Sequence, residues 1–235
     1  MENIPSYVEW TFVSIVVSVL IFMFYALRAA CPARKNLSLL IAILISWIFL
    51  VSIQATFGFF EDFSFPPRLM IYVGIPVIST VILLLTPRTR KFLNEMPITT
   101  LHYIHIIRVP VEMVLWWLSV FRVLPKELTF EGSNLDIISG ISAPFAAVFL
   151  VGKQSENRIG ALLWNLLALG LLLNIVFSAI SFTPYFYEAS QNVPANTGLF
   201  YFPYILLPTF IVPVVLFSHL VALNQLIFKK NQSQF

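Results

Sequence analysis

The sequence predicts an all-α fold: a polytopic membrane helical bundle of seven transmembrane helices, one integral domain over residues 1–235, with the N-terminus outside and the C-terminus inside. Three observations carry that prediction. Hydrophobic residues make up 59% of the 235 and charged residues only 11%, against about 25% charged in a soluble domain. Seven apolar runs, at a mean hydropathy of +0.88 for the chain, are long enough to cross about 30 Å of hydrocarbon as helix. The basic residues alternate between successive loops. A β-barrel is excluded because these runs are continuously apolar, where barrel strands alternate over about ten residues. No polar stretch between them approaches the size of an independent domain.

Residues 1–10 contain Glu2 and Glu9 but no Lys or Arg. A cleavable signal wants a basic start, so the first run, 10–27, is read as a retained helix. Cys31 follows it; one cysteine in the chain excludes an intrachain disulfide. The second and third runs are 37–57 and 69–86, the latter interrupted by Pro76. After it, Arg88, Arg90 and Lys91 precede Phe92, Leu93 and Met96, the pattern of a short interfacial connector drawn to anionic lipid.

The fourth run, 98–123, carries His102, His105, Arg108 and Glu112 among Ile, Val, Leu and Trp. Ionisable groups at bilayer depth cost several kcal/mol unless paired or hydrated, so such a helix is a functional-site candidate. At about 100° per residue, His105, Arg108, Glu112, Trp116 and Ser119 share one face, with His102 at its margin. Arg108 and Glu112 stand four apart and are placed to pair with each other. His102 and His105 stand three apart, and His219 on the last run lies at a depth near Arg108.

The fifth run, 135–151, is the shortest. Ser133 and Asp136 read as its capping start, and Ser139, Ala143 and Ala147 as a small-residue packing face. The sixth, 159–182, offers Asn165, Asn174, Ser178 and Ser181, either to hydrogen-bond across the bundle or to line the same cavity. From 182 to 204, across the junction with the seventh run, 201–228, Tyr185, Phe186, Tyr187, Phe200, Tyr201, Phe202 and Tyr204 interleave with Pro184, Pro194 and Pro203. They are expected to form an aromatic belt at the outer interface, with a lid over an outward-facing pocket as the alternative.

Orientation follows from charge. With the N-terminus outside, ten of the fourteen basic residues fall inside: Arg28, Arg34, Lys35, Arg88, Arg90, Lys91, Lys153, Arg158, Lys229 and Lys230. Only Arg68, Arg122 and Lys126 fall outside. Short loops and the single cysteine point to a bacterial inner membrane.

Three functional readings are open at this point. In the first, a polar cavity on the fourth helix binds or transports a small polar or anionic solute with protons, Arg108 holding the anion, Glu112 exchanging the proton, and His105, Asn165 and Asn174 lining the site. In the second, His102, His105 and His219 hold a metal ion or haem in a membrane-embedded enzyme or redox protein; the sequence fixes no cofactor. In the third, the stripe docks another membrane protein in a structural or signalling assembly. The lipid bilayer is the common partner. There is no basic patch for a nucleic acid.

Overall fold

The computed structural model of the chain describes residues 4–31, 33–152, 157–188 and 193–228, and among them no strand occurs. Glu2, Lys153, Lys229 and Lys230 of the charge pattern lie outside the described residues. Eight helices matter for the site: α1 Ser6–Ala30, α2 Arg34–Thr56, α3 Arg68–Leu85, the short α4 Pro87–Leu93, α5 Ile98–Val120, α6 Asp136–Phe149, α7 Arg158–Ser181 and α8 Leu207–Phe228. Six of them, all but α4 and α6, are long and apolar enough to cross a membrane.

Local chemistry sets the boundaries. Gly58, at φ 70, supplies the left-handed residue just past the end of α2; Arg122, at φ 57, does the same beyond α5. Pro87 opens α4 at a position where its missing N–H costs nothing. The Asn157 side chain caps α7 by accepting from the Gly160 amide at 2.9 Å. The last helix begins at Leu207 rather than at 201, because Pro203 and Pro208 interrupt its approach and residues Leu207–Ile211 form a π-helical turn. Pro213 cannot donate to the carbonyl of Thr209, four residues back, and the Trp47 indole of α2 donates to that carbonyl at 2.9 Å instead.

Burial ranks the helices. In its most apolar window α8 is 67% buried and α5 50%, whereas α2 and α3 are 6% each. The centre is therefore α8 against α5, surrounded by α1, α6, α7 and α3, with α2 at the rim. Residues such as Leu39, Ile43, Phe49, Ile78, Val81, Phe145 and Leu167 turn outward. Apolar surface on that scale is not tolerated in water.

The two ends of the bundle differ. At the basic end, Gln225 of α8 donates to the carbonyls of Leu93 and Met96, both at 3.0 Å, and Arg158 donates to the last carbonyls of α8, Leu226 and Ile227. At the aromatic end, residues 57–67 pack against the segment after α7 through Phe63, Tyr185 and Phe200. Arg68 bonds Asp62 and the Phe59 carbonyl there. The Ser64 amide, and then Arg68, holds the Asp62 carboxyl below its usual range. Of the seven aromatics of the expected belt, Phe200 and Tyr204 are buried, Tyr185, Tyr187 and Tyr201 half-buried, and Phe186 and Phe202 exposed, so the belt is folded inward only in part. Under it lies an apolar cavity of about 320 Å³ between α3 and α7.

The fifth segment departs from a full span. α6 has 14 residues, about 21 Å of helix. Its first residue meets Arg108 partway along α5, and Gly140 lies against Val109 and Arg108. Beside the rest of α5 runs the stretch 124–135, irregular apart from a 3₁₀ turn at Lys126–Leu128, where Leu124, Leu128, Thr129 and Asn134 are buried. Irregular backbone at that depth is tolerated where protein encloses it.

Candidate functional site

α5 is not a uniform helix. Ile98–Tyr103 is α-helical, Ile104–Ile107 is a 3₁₀ turn, and α-helix resumes at Arg108. Pro110 explains the position, because it removes the donor to the Ile106 carbonyl and crowds it. The turn has a consequence for the polar stripe. On a uniform helix His102 stands about 120° around the axis from Arg108; four residues at about 120° each bring it within about 40°. The distortion therefore moves His102 from the margin of the polar face onto it.

The ionisable part of that face is sealed, while Trp116 and Ser119 beyond it are half-buried. His102, His105 and His219 show no exposed surface, Glu112 shows 2% and Arg108 3%. Asn165 of α7 is equally enclosed. The hydrogen bonds run head to tail. Arg108 points one guanidinium nitrogen at Nε2 of His219, 3.3 Å away. His219 Nδ1 faces Oδ1 of Asn165 at 3.0 Å, Asn165 Nδ2 faces Nε2 of His102 at 2.9 Å, and His102 Nδ1 donates to the Ile98 carbonyl at 2.8 Å. Asn165 also donates to the Ala161 carbonyl at 2.9 Å, which fixes its amide orientation. Only one proton assignment satisfies every bond: both histidines neutral, each protonated on Nδ1. An amide does not pass protons on as an imidazole does, so Asn165 interrupts this chain as a proton path.

Arg108 takes its counter-charge from across a helix interface. Its other terminal nitrogen lies 3.3 Å from Asp136 Oδ1 and donates to the Ala168 carbonyl at 3.1 Å. Glu112 is bonded by the Asn134 amide, which also donates to the Leu128 carbonyl at 3.2 Å and accepts from the Asp136 amide at 3.0 Å. Two sequence expectations are thereby corrected. Arg108 and Glu112 form no ion pair with each other, because α6 brings the Asp136 carboxylate to Arg108 and the stretch before it brings Asn134 to Glu112. Asp136 serves as that ion-pair partner, the residue before α6 is Leu135, and the capping contact comes from Asn134 rather than Ser133.

The aromatic ring of Trp164 is the organising surface for the imidazoles. It stacks on His102 at 5.2 Å between centroids and lies 5.5 Å from His105 and 5.9 Å from His219. Its Nε1 donates to Ser142 at 3.0 Å. His105 stacks on His219 at 3.9 Å. Sequence reasoning missed Trp164, and its spacing from Asn165, one residue away on α7, gave no sign that both face inward. Asn174 is the reverse case: it is exposed on α7 and stands apart from the cluster.

As a metal centre the three histidines do not fit. The ring nitrogens of His102 and His219 are committed to protein hydrogen bonds, and the described residues contain no group of three or more His, Cys, Asp or Glu placed to hold a metal ion. His105 differs. Both of its nitrogens lack a hydrogen-bond partner among the described residues, as do Arg108 Nε, Glu112 Oε2 and Ser139 Oγ. Those of His105, Arg108 and Glu112 belong to α5 and that of Ser139 to α6.

A family model described as a domain of unknown function (DUF8737) matches residues 66–227, and the chain belongs to that family. The matched stretch contains every residue of the polar cluster. No curated protein and no solved structure matches.

Proposed function

We propose that this DUF8737 protein is a seven-span membrane protein, N-terminus outside and C-terminus inside, that takes a proton, as its small polar guest, into an occluded centre between α5 and α6. The observation that carries this reading is the incomplete satisfaction of a sealed ionic cluster. A buried polar group without a partner costs about 1–3 kcal/mol, and His105, Arg108, Glu112 and Ser139 each carry at least one here. A cluster retained only for packing would gain by losing them.

Charge balance names the guest. The centre holds one cation, Arg108, and two carboxylates, Asp136 and Glu112. An anion would have to displace Asp136 from Arg108, whereas a proton balances the carboxylate in excess. The earlier assignment of Arg108 as an anion contact is therefore replaced by one in which Arg108 holds Asp136 and Glu112 exchanges the proton. The stretch 124–135, bonded to Glu112 through Asn134, is the segment that parts to admit it. The basic-residue pattern supports the orientation, and short loops with a single cysteine support a bacterial-type plasma membrane.

Proteoliposomes with an interior pH dye, challenged with a pH step under a clamped membrane potential, test the reading. Wild-type protein collapses the gradient faster than empty vesicles, and Glu112→Gln, incorporated equally, leaves it as slow as empty vesicles. Asp136→Asn, which also removes the excess carboxylate, gives the same result if Glu112→Gln fails to fold. Wild-type vesicles as tight as empty ones overturn the proposal and favour a structural subunit. That competing reading draws on the satisfied chain from Arg108 to His102, and on the two cavities, neither of which is lined by these residues.

A further inference from the structure

A second cavity, of about 650 Å³, lies at the basic end between α1, α2, α3 and α8, well away from the polar centre. Its walls are apolar: Leu40 and Leu44 of α2, Pro76 of α3, Phe92 of α4, Phe210 and Phe217 of α8. Its upper limit is set where the Trp47 indole reaches the Thr209 carbonyl. Its mouth holds Cys31, Asn36 and Thr89. From Asn36 to Trp47 the helix rises about 17 Å, close to half of the hydrocarbon core. The chamber therefore has the depth of one leaflet. Because α2 is nearly unburied, one side opens to the surrounding lipid.

The mouth is charged in one sense. The helix ends around it carry Arg28 of α1, Arg34 and Lys35 of α2, and Arg88 and Lys91 of α4, all exposed and none in an ion pair with a described residue. Arg90 beside them lies over the Phe228 ring at 5.9 Å, and Glu95 is the one acidic residue nearby. An apolar slot one leaflet deep beneath five unpartnered cations is complementary to a single kind of molecule. We infer that it holds one anionic phospholipid of the adjacent leaflet, with an acyl chain against Leu44 and Trp47 and the phosphate among the arginines and lysines. Basic residues at a bilayer surface attract anionic lipid in general. The slot adds a fixed position and a stoichiometry of one. The inference uses the membrane-spanning reading but not the proton centre, so the vesicle experiment above can fail without touching it.

Trp47 provides the readout. Full-length protein in nanodiscs of phosphatidylcholine is titrated with phosphatidylglycerol brominated on its acyl chain, and the quenching attributable to Trp47 is the difference between wild type and Trp47→Phe. Brominated phosphatidylcholine is the control. Quenching by the anionic lipid reaches half-saturation at roughly tenfold lower mole fraction than by the neutral lipid, a ratio of the size a few surface cations provide. Combining Arg34→Gln, Lys35→Gln, Arg88→Gln and Lys91→Gln brings the two lipids level while the zwitterionic curve stays in place. In native mass spectrometry wild type keeps one phosphatidylglycerol, and Leu40→Trp, which fills the slot, loses it. Equal half-saturation for the two lipids in wild type overturns the inference, as does failure of anionic lipid to quench Trp47 at all.

Discussion

Arg108 is held by groups from three other helices: His219 of α8, the Ala168 carbonyl of α7 and Asp136 of α6. Removing it leaves two carboxylates buried with no cation. Arg108→Gln is therefore expected to destabilise the folded protein by about 3–5 kcal/mol, read as a shift of midpoint in a denaturing-detergent titration. Asp136→Asn should cost clearly less, because Glu112 remains one helical turn away and balances the guanidinium. Equal losses would show that Glu112 is electrostatically separate from the centre. The sequence disclosed which residues of α5 were out of place, since a charge in an apolar run needs no partner to be noticed. It did not disclose their partners. Asp136 stands at a helix start, where an acid already has a local explanation, and nothing in a local pattern separates a cap from an ion pair to a helix elsewhere in the chain. Asn165 and Asn174 are nine residues apart on one helix, yet only one faces inward, because facing is decided by how α7 packs.

At the scale of elements, the 3₁₀ turn in α5 and the close approach of α6 act together. The turn gathers the histidines and Arg108 onto one face, and Gly140 lets that face reach Asp136. A Cβ at position 140 would lie 2.8 Å from Val109 Cγ2 and 2.9 Å from the Val109 backbone nitrogen, which cannot rotate away. Gly140→Ala should therefore cost about 1–3 kcal/mol by pushing the helices apart. The control is Gly170→Ala on α7, where a Cβ meets nothing within 4 Å and the expected change is a gain of up to about 1 kcal/mol. Similar losses at both positions would remove the argument that α5 and α6 are held at contact distance. The helices themselves were legible to within a few residues, since apolar length alone determines them. The 3₁₀ turn was not. Pro110 announced a distortion, but the rotation it imposes on His102 depends on how far the tightened turn extends.

For the whole molecule the open geometric question is α6. Six helices run the full distance between the basic and aromatic ends by length and composition, and α6 starts only at the level of Arg108. The chain nevertheless leaves α5 at the aromatic end, where Gly198 donates to the Val123 carbonyl, and begins α7 at the basic end, where Arg158 holds the end of α8. The connection from Val123 to Arg158 therefore passes from one end to the other, with the stretch 124–135, buried at Leu124, Leu128, Thr129 and Asn134 and exposed at Lys126 and at 131–133, covering the part that α6 does not. In the seven-span arrangement proposed above, α6 and that stretch together make the fifth crossing. It also explains why the fifth run was the shortest in the sequence: the remainder of its path mixes apolar residues with Lys126, Glu127, Glu131, Ser133 and Asn134 and falls below a hydropathy criterion. Single cysteines in a Cys31→Ser background measure it. With a membrane-impermeant maleimide applied to intact cells, Lys126→Cys is expected to label, while Arg90→Cys and Asn157→Cys label only after permeabilisation. Labelling of Asn157→Cys from the same side as Lys126→Cys would mean that α6 turns back within the membrane. The proton centre would then lie at the end of a re-entrant helix rather than midway along a crossing one.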